Sequence, residues 1–149
     1  MSVVLRLATL DQRHFELHST LLLQLAEHLS GLDTLCKTLG VTPLSHFADL
    51  TALEFSEASE LVAATATSTP PSVDAETGLP WSIEDMDWFP ASTGLITLEA
   101  LTAHLQRNRP RELSGANRAE LQASLEFCEQ QLRPLEAEGG QFHLAAGHA

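Results

Sequence analysis

The chain has 149 residues, with 20 Asp and Glu against 8 Lys and Arg, and a formal net charge of −12. That length fits one domain around one core, and the excess of acid argues against nucleic acid or anionic membrane as partners. Between Lys37 and Arg107 there is no lysine or arginine but ten carboxylates, Asp49, Glu54, Glu57, Glu60, Asp74, Glu76, Glu84, Asp85, Asp87 and Glu99, so the middle of the chain would speed encounter with a basic protein surface.

Hydrophobic residues make up 44% of the chain and Tyr is absent, which leaves Leu and Ala to fill the core and leans the composition toward helix. No apolar run approaches the roughly 18 residues of a membrane span. Arg6, Asp11 and Arg13 break the opening segment before a signal-peptide core forms, and the expectation is a soluble cytoplasmic protein. Cys36 and Cys128 are far apart and show no zinc-ligand spacing, so two buried thiols are expected.

Val3 to Leu7 reads as a short strand. Thr9-Leu10-Asp11-Gln12 then fits a capping box, and the leucine spacing predicts a helix from Leu10 to about Leu29, interrupted at Ser30-Gly31. A second helix, Leu32 to Leu39, ends at Gly40, and Thr42-Pro43 opens a short third one through about Asp49. Glu57 to Ala66 is read as a weakly amphipathic helix, followed by a mobile loop over 67–79 where apolar surface is scarce.

Trp81 to Pro90 holds both tryptophans and three acids without a clear period. Leu95, Leu98, Leu101 and Leu105 mark a helix ending near Asn108. Ser114 is read as the cap of a last long helix, which Pro134 should kink or stop. After Gly139-Gly140, Gln141 to Ala145 reads as a strand with Phe142 and Leu144 inward. These signals predict an α+β protein, predominantly helical, with about five to six helices and short N- and C-terminal strands placed to pair, in a single domain over 1–149.

Three groups of residues could carry chemistry. On the predicted first helix Asp11, His14 and His18 share one face, and histidines at i and i+4 stack one turn apart as two ligands of a divalent transition metal do, with Asp11 as third ligand or orienter. The competing reading packs both rings in a core or groove. Glu16 faces the other way, so the arrangement is not HExxH. His104, on the Leu98–Leu105 helix, is either a distant further ligand or a helix-end histidine favoured by the dipole.

Trp81, Glu84, Asp85, Asp87, Trp88 and Phe89 form the second group, since large aromatics framed by carboxylates suit a hot-spot patch for a basic partner. The alternative is that the rings cap the core while the acids face water. Arg107, Arg109 and Arg111 form the third, able to hold a phosphate or carboxylate, or else to neutralise a helix C-terminus. Asp74, Glu76 and Gly78 echo a calcium loop, but Leu79 and Pro80 break its pattern.

No GxGxxG, Walker loop or GxSxG elbow occurs, which lowers the expectation of an enzyme without excluding a site assembled from distant residues. The leading expectation is a small acidic interaction protein of inhibitor, immunity or adaptor type that meets a basic partner and needs no cofactor. The second is a metal- or small-molecule-binding protein built on His14 and His18. The third is a homo-oligomer formed through the leucines of the first helix.

Overall fold

The computed structural model describes residues 3–63 and 73–148. The chain begins with a long strand, β1 (Val3–Asp11), which turns back as β2 (His14–Leu17). Two helices follow, α1 (Leu23–Glu27) and α2 (Leu29–Leu39), and then a 3-10 turn at Leu44–Phe47 that leads into β3 (Ala48–Asp49). Next come α3 (Thr51–Ala63), a second 3-10 turn at Ile83–Asp85, and β4 (Phe89–Pro90). The long helices α4 (Ala91–Arg107) and α5 (Arg118–Ala137) flank a third 3-10 turn, Arg111–Leu113, and β5 (Gln141–His148) closes the chain.

The five strands form one mixed sheet in the order β2-β1-β5-β3, with β4 also on β5. β1 and β5 run antiparallel over eight residue pairs, from Val3 opposite His148 to Leu10 opposite Gln141. The far edge of β5 is shared end to end by β4, antiparallel at Phe89 opposite Phe142, and by β3, parallel at Ala48 opposite Leu144. A predominantly helical fold with short terminal strands is therefore corrected: the ends do pair, but as the centre of a five-stranded sheet.

The largest correction is the helix expected from Leu10 to Leu29. β1 instead continues to Asp11, reverses through Gln12 and Arg13, and returns as β2, with Leu10 opposite Phe15 and Ala8 opposite Leu17. Backbone pairing outlasts β2, since the His18 amide donates to the Leu7 carbonyl at 2.9 Å and the Leu22 amide to the Leu5 carbonyl at 2.8 Å. β1 is thus bonded along both edges. Helix in its place would leave one row of its backbone groups unpaired, and buried unpaired groups are costly. The break between α1 and α2 falls at His28 (φ −112°, ψ 22°), not at Ser30-Gly31, which are helical. Gly40 does end α2 with φ 75° in the left-handed region.

One face of the sheet meets the helices. Leu5 and Leu7 of β1 and Phe142, Leu144 and Ala146 of β5 join Leu22, Leu25, Leu32, Leu98, Leu101, Leu125 and Leu132 in one core. Each fully buried leucine contributes about 1.5–3 kcal/mol. Gly94 sets the approach of α4 to the sheet, since a Cβ there would lie 2.3 Å from the Phe142 ring. Gly31 does the same for α2, where a Cβ would lie 2.3 Å from the Glu112 carbonyl oxygen.

Smaller expectations are corrected as well. The helix from Pro43 to Asp49 is the 3-10 turn and β3. The helix expected at Glu57 begins already at Thr51; its expected end, 64–66, lies outside the described residues, as does 67–72 of the expected loop. Residues 74–79 form a closed turn, with the Asp74 amide donating to the Leu79 carbonyl at 2.8 Å and Asp74 Oδ1 accepting from the Glu76 amide at 2.8 Å. Asn117, not Ser114, caps α5, accepting the Glu120 amide at 3.2 Å. Pro134 stays inside α5. Its ring deprives the Gln130 carbonyl of its partner, but both residues are exposed and water can serve that carbonyl.

Candidate functional site

Strand alternation turns His143 away from the helical core that holds Phe142 and Leu144. On this second face of the sheet it lies across from Ala8, and the acid-rich middle of the chain roofs it. Trp88 packs on the imidazole with ring centres 4.3 Å apart and meets Phe15 of β2 edge-on at 5.9 Å. The Trp88 indole donates to the Ile83 carbonyl at 2.9 Å, which fixes the ring over the histidine. Trp81 packs against Phe55 of α3 at 5.2 Å, and its indole nitrogen is buried without a partner among the described residues.

His143 is 1% exposed. Its Nδ1 lies 2.9 Å from the Asp87 carbonyl, and since a carbonyl only accepts, Nδ1 carries the proton. Nε2 then presents its lone pair toward Asp49 Oδ2, 3.8 Å away. Burial holds the imidazole below its ordinary value of 6.5, with the neighbouring Asp49 charge pulling the other way. Asp49 is itself buried and is satisfied by three donors: the Asp87 amide at 2.9 Å, the Thr51 hydroxyl at 2.9 Å and the Thr51 amide at 3.3 Å. It thereby ties together β3, the start of α3 and the segment before β4.

In a hydrolytic triad the aspartate accepts the histidine N–H and leaves the other nitrogen for a nucleophile; here the proton goes to the Asp87 carbonyl, the free nitrogen faces Asp49, and among the described residues no hydroxyl or thiol is hydrogen-bonded to the ring. The nearby hydroxyl, Thr51, is hydrogen-bonded to Asp49 and to the Asp85 carbonyl. The space beside His143, lined also by Arg6, Met86 and Trp81, measures about 50 Å³, far below the roughly 300–1,000 Å³ of a ligand cleft.

Above this layer lies a rim of carboxylates. Ser82 opens the 3-10 turn, its amide donating to Asp85 Oδ2 at 2.9 Å and its hydroxyl at 3.0 Å, and these bonds hold the Asp85 carboxyl below the usual range. Glu76 and Glu84 both receive the Arg13 guanidinium from the hairpin turn, Glu76 through two nitrogens, one of them Nε at 2.9 Å. Hydrogen bonding to Arg13 holds both carboxyls low. Glu84, Asp85 and Asp87 are all exposed, while the adjoining Ile83 and Met86 are buried.

The structure brings the expected aromatic-acidic group together, with its rings turned inward. Trp81, Trp88 and Phe89 are half-buried, and Phe89 packs against Phe47 at 5.5 Å and His46 at 5.2 Å. The carboxylates alone face water. Asp49 and His143 were missed in the sequence, where a lone histidine between Phe142 and Leu144 reads as the solvent side of a half-buried strand.

The helix on which the metal reading of Asp11, His14 and His18 rested is replaced by the hairpin. On extended chain four residues span about 13 Å, where one helical turn would bring the rings together. His14 is exposed at the hairpin end. His18 is held by the Thr9 hydroxyl at 3.2 Å, Glu16 at 3.3 Å and the Phe127 ring at 5.9 Å. Among the described residues no group of three His, Cys, Asp or Glu is placed to hold a metal ion. His104 lies beside Asn108 at the end of α4, with 3.3 Å between Nδ1 and the Asn108 amide.

The leucine stripe expected to mediate self-association is dispersed in the same way: Leu22 and Leu25 are in the core, and Leu21 is 40% exposed in the link before α1. Of the arginine trio, Arg109 and Arg111 line a common cavity, joined there by Arg118 and not by Arg107.

The fold and site together define an α+β protein with a mixed sheet, one face packed under helices and the other roofed by an acid-rimmed segment. No family model matches this chain, and neither does any curated protein or any solved structure. No helix among the described residues is long and apolar enough to cross a membrane.

Proposed function

We propose that this protein is a non-catalytic interaction module that docks a basic partner surface on the carboxylate rim of the sheet's second face. The observation that carries the reading is the rim's construction. Glu84, Asp85 and Asp87 project to water from a turn whose Ile83 and Met86 are buried, and the capping bonds of Ser82 and the indole bond of Trp88 hold that turn in place. A rim held in one conformation loses little entropy on binding, and a net negative field, Arg13 notwithstanding, raises the association rate.

The buried, internally bonded state of His143 and Asp49 supports a structural role for that pair. The test is affinity capture from native lysate at low salt, with wild-type protein and a Glu84→Lys/Asp87→Lys variant as baits. Asp85 is left alone because it caps the turn. The reading expects a basic protein retained by the wild type, released by salt and lost in the variant. Equal capture by both baits would sink it.

A further inference from the structure

The densest concentration of positive charge in this acidic chain has a cavity beneath it. Arg107, Arg109, Arg111 and Arg118 are four of its eight basic residues. Three of them, Arg109, Arg111 and Arg118, surround a space of about 290 Å³ whose apolar wall is Leu105, Leu113 and Leu121 and whose rim includes Ser114. No aspartate or glutamate lines it, and none of the three guanidiniums forms an ion pair among the described residues. Like charges gathered without a counter-charge repel one another; of the four other arginines, Arg13 meets Glu76 and Glu84 and Arg133 meets Glu129, while Arg6 and Arg107 form no ion pair among the described residues.

The walls are also fixed in place. Leu105, Leu113 and Leu121 are buried. The Arg118 guanidinium donates to the Asn108 carbonyl at 2.9 Å, the Asn117 amide donates to Gln24 Oε1 at 2.9 Å, and Gly31 lets α2 close against the Glu112 carbonyl. The loop between α4 and α5 is therefore anchored to two other helices.

We propose that this cavity is a binding site for a small phosphate monoester carrying an apolar group. Guanidinium forks match phosphate oxygens in pairs, and three arginines lining one space suit a tetrahedral dianion better than a planar carboxylate, which one fork saturates. Pro110 and Ala116, the half-buried apolar residues of the lining, take the apolar part over the leucines beneath. The site lies apart from the carboxylate rim in sequence and composition, and it does not depend on the partner proposed there.

The experiment is isothermal titration at low salt with phenyl phosphate, inorganic phosphate, benzoate and an acidic hexapeptide. Wild-type protein is compared with an Arg109→Ala/Arg111→Ala variant, both residues being exposed, and a thermal melt checks that the variant folds. Phenyl phosphate is expected to bind at least about tenfold more tightly than the other three, and the variant to lose at least about tenfold in affinity for it. In amide NMR the shifts should centre on Arg111 and Ser114. Similar affinity for all four probes, tighter binding of the peptide, unchanged affinity in the variant, or shifts centred elsewhere would each overturn the proposal. Should the variant fail to fold, the probe ranking and the shift map of the wild-type protein decide alone.

Discussion

At the scale of single residues, His143 makes the sharpest pH prediction. Burial lowers its native pKa below 6.5, so as pH falls through 6.5 the unfolded chain takes up a proton that the native imidazole resists. Stability that is intact above pH 6.5 is therefore lost on descending toward the native value. The thermal midpoint of the wild type is expected to fall as pH descends below 6.5. A His143→Gln variant, whatever its absolute stability, should show a flatter profile over that window, and parallel profiles for the two proteins would exclude the assignment. Glu76, Glu84 and Asp85 act lower: their depressed carboxyls contribute above their ordinary values of 4.5, 4.5 and 3.8 and lose that contribution below them. The two windows are separable. Because these three carboxyls are exposed, their share is small and screened by salt.

At the scale of elements, the hairpin shows why a local pattern can mislead. Leu10, His14, Leu21 and Leu25 satisfy a helical period, and Thr9 with Gln12 satisfies a capping box. The same stretch satisfies a strand period too, since Leu10 and Phe15 pair on one face as do Ala8 and Leu17. A hairpin is usually announced by Asn-Gly or Gly at the turn, and here the two loop residues are Gln12 and Arg13, with Gln12 at φ 56°. A glutamine in the left-handed region is strained where glycine is not. Gln12→Gly should therefore raise stability by about 0.5–1 kcal/mol in urea unfolding with an unchanged slope. A loss of stability would mean that the side chain contributes more than the turn strain costs. The strand-forming bonds of Thr9, Leu10 and Leu7 lie with partners more than a hundred residues away, such as Phe142, Gln141 and Leu144, and no window of sequence holds both.

At the scale of the whole molecule, burial governs the thiols. Cys36 and Cys128 are free and fully buried, and burial pushes the Cys128 thiol up to about 12 and raises that of Cys36. Thiolate is the reactive form, so the native protein should react with a thiol-specific disulfide reagent only as fast as it opens, and both groups should react at once in concentrated guanidinium. Prompt reaction of either group in the folded protein would contradict this packing. Charge is arranged on the same scale, with carboxylates rimming the second face of the sheet and arginines collected at the α4–α5 loop.

What neighbours within a turn govern is legible in the amino-acid order. Leu95, Leu98, Leu101 and Leu105 mark α4, the αL glycine at Gly40 ends α2, Phe142 and Leu144 face inward, and the acid sits in the middle of the chain. Among the site residues it marked the acids at 84–87 and two of the three cavity arginines. Only the tertiary structure decided that 10–17 is a hairpin, that Trp88 covers His143, that Asp49 meets Asp87 and Thr51, and that Arg118 joins Arg109 and Arg111. The reason is physical: a helix face or a cap is fixed by neighbours within a turn, whereas a sheet partner, a roof or a cavity wall is fixed by residues that meet only after the chain has closed on itself.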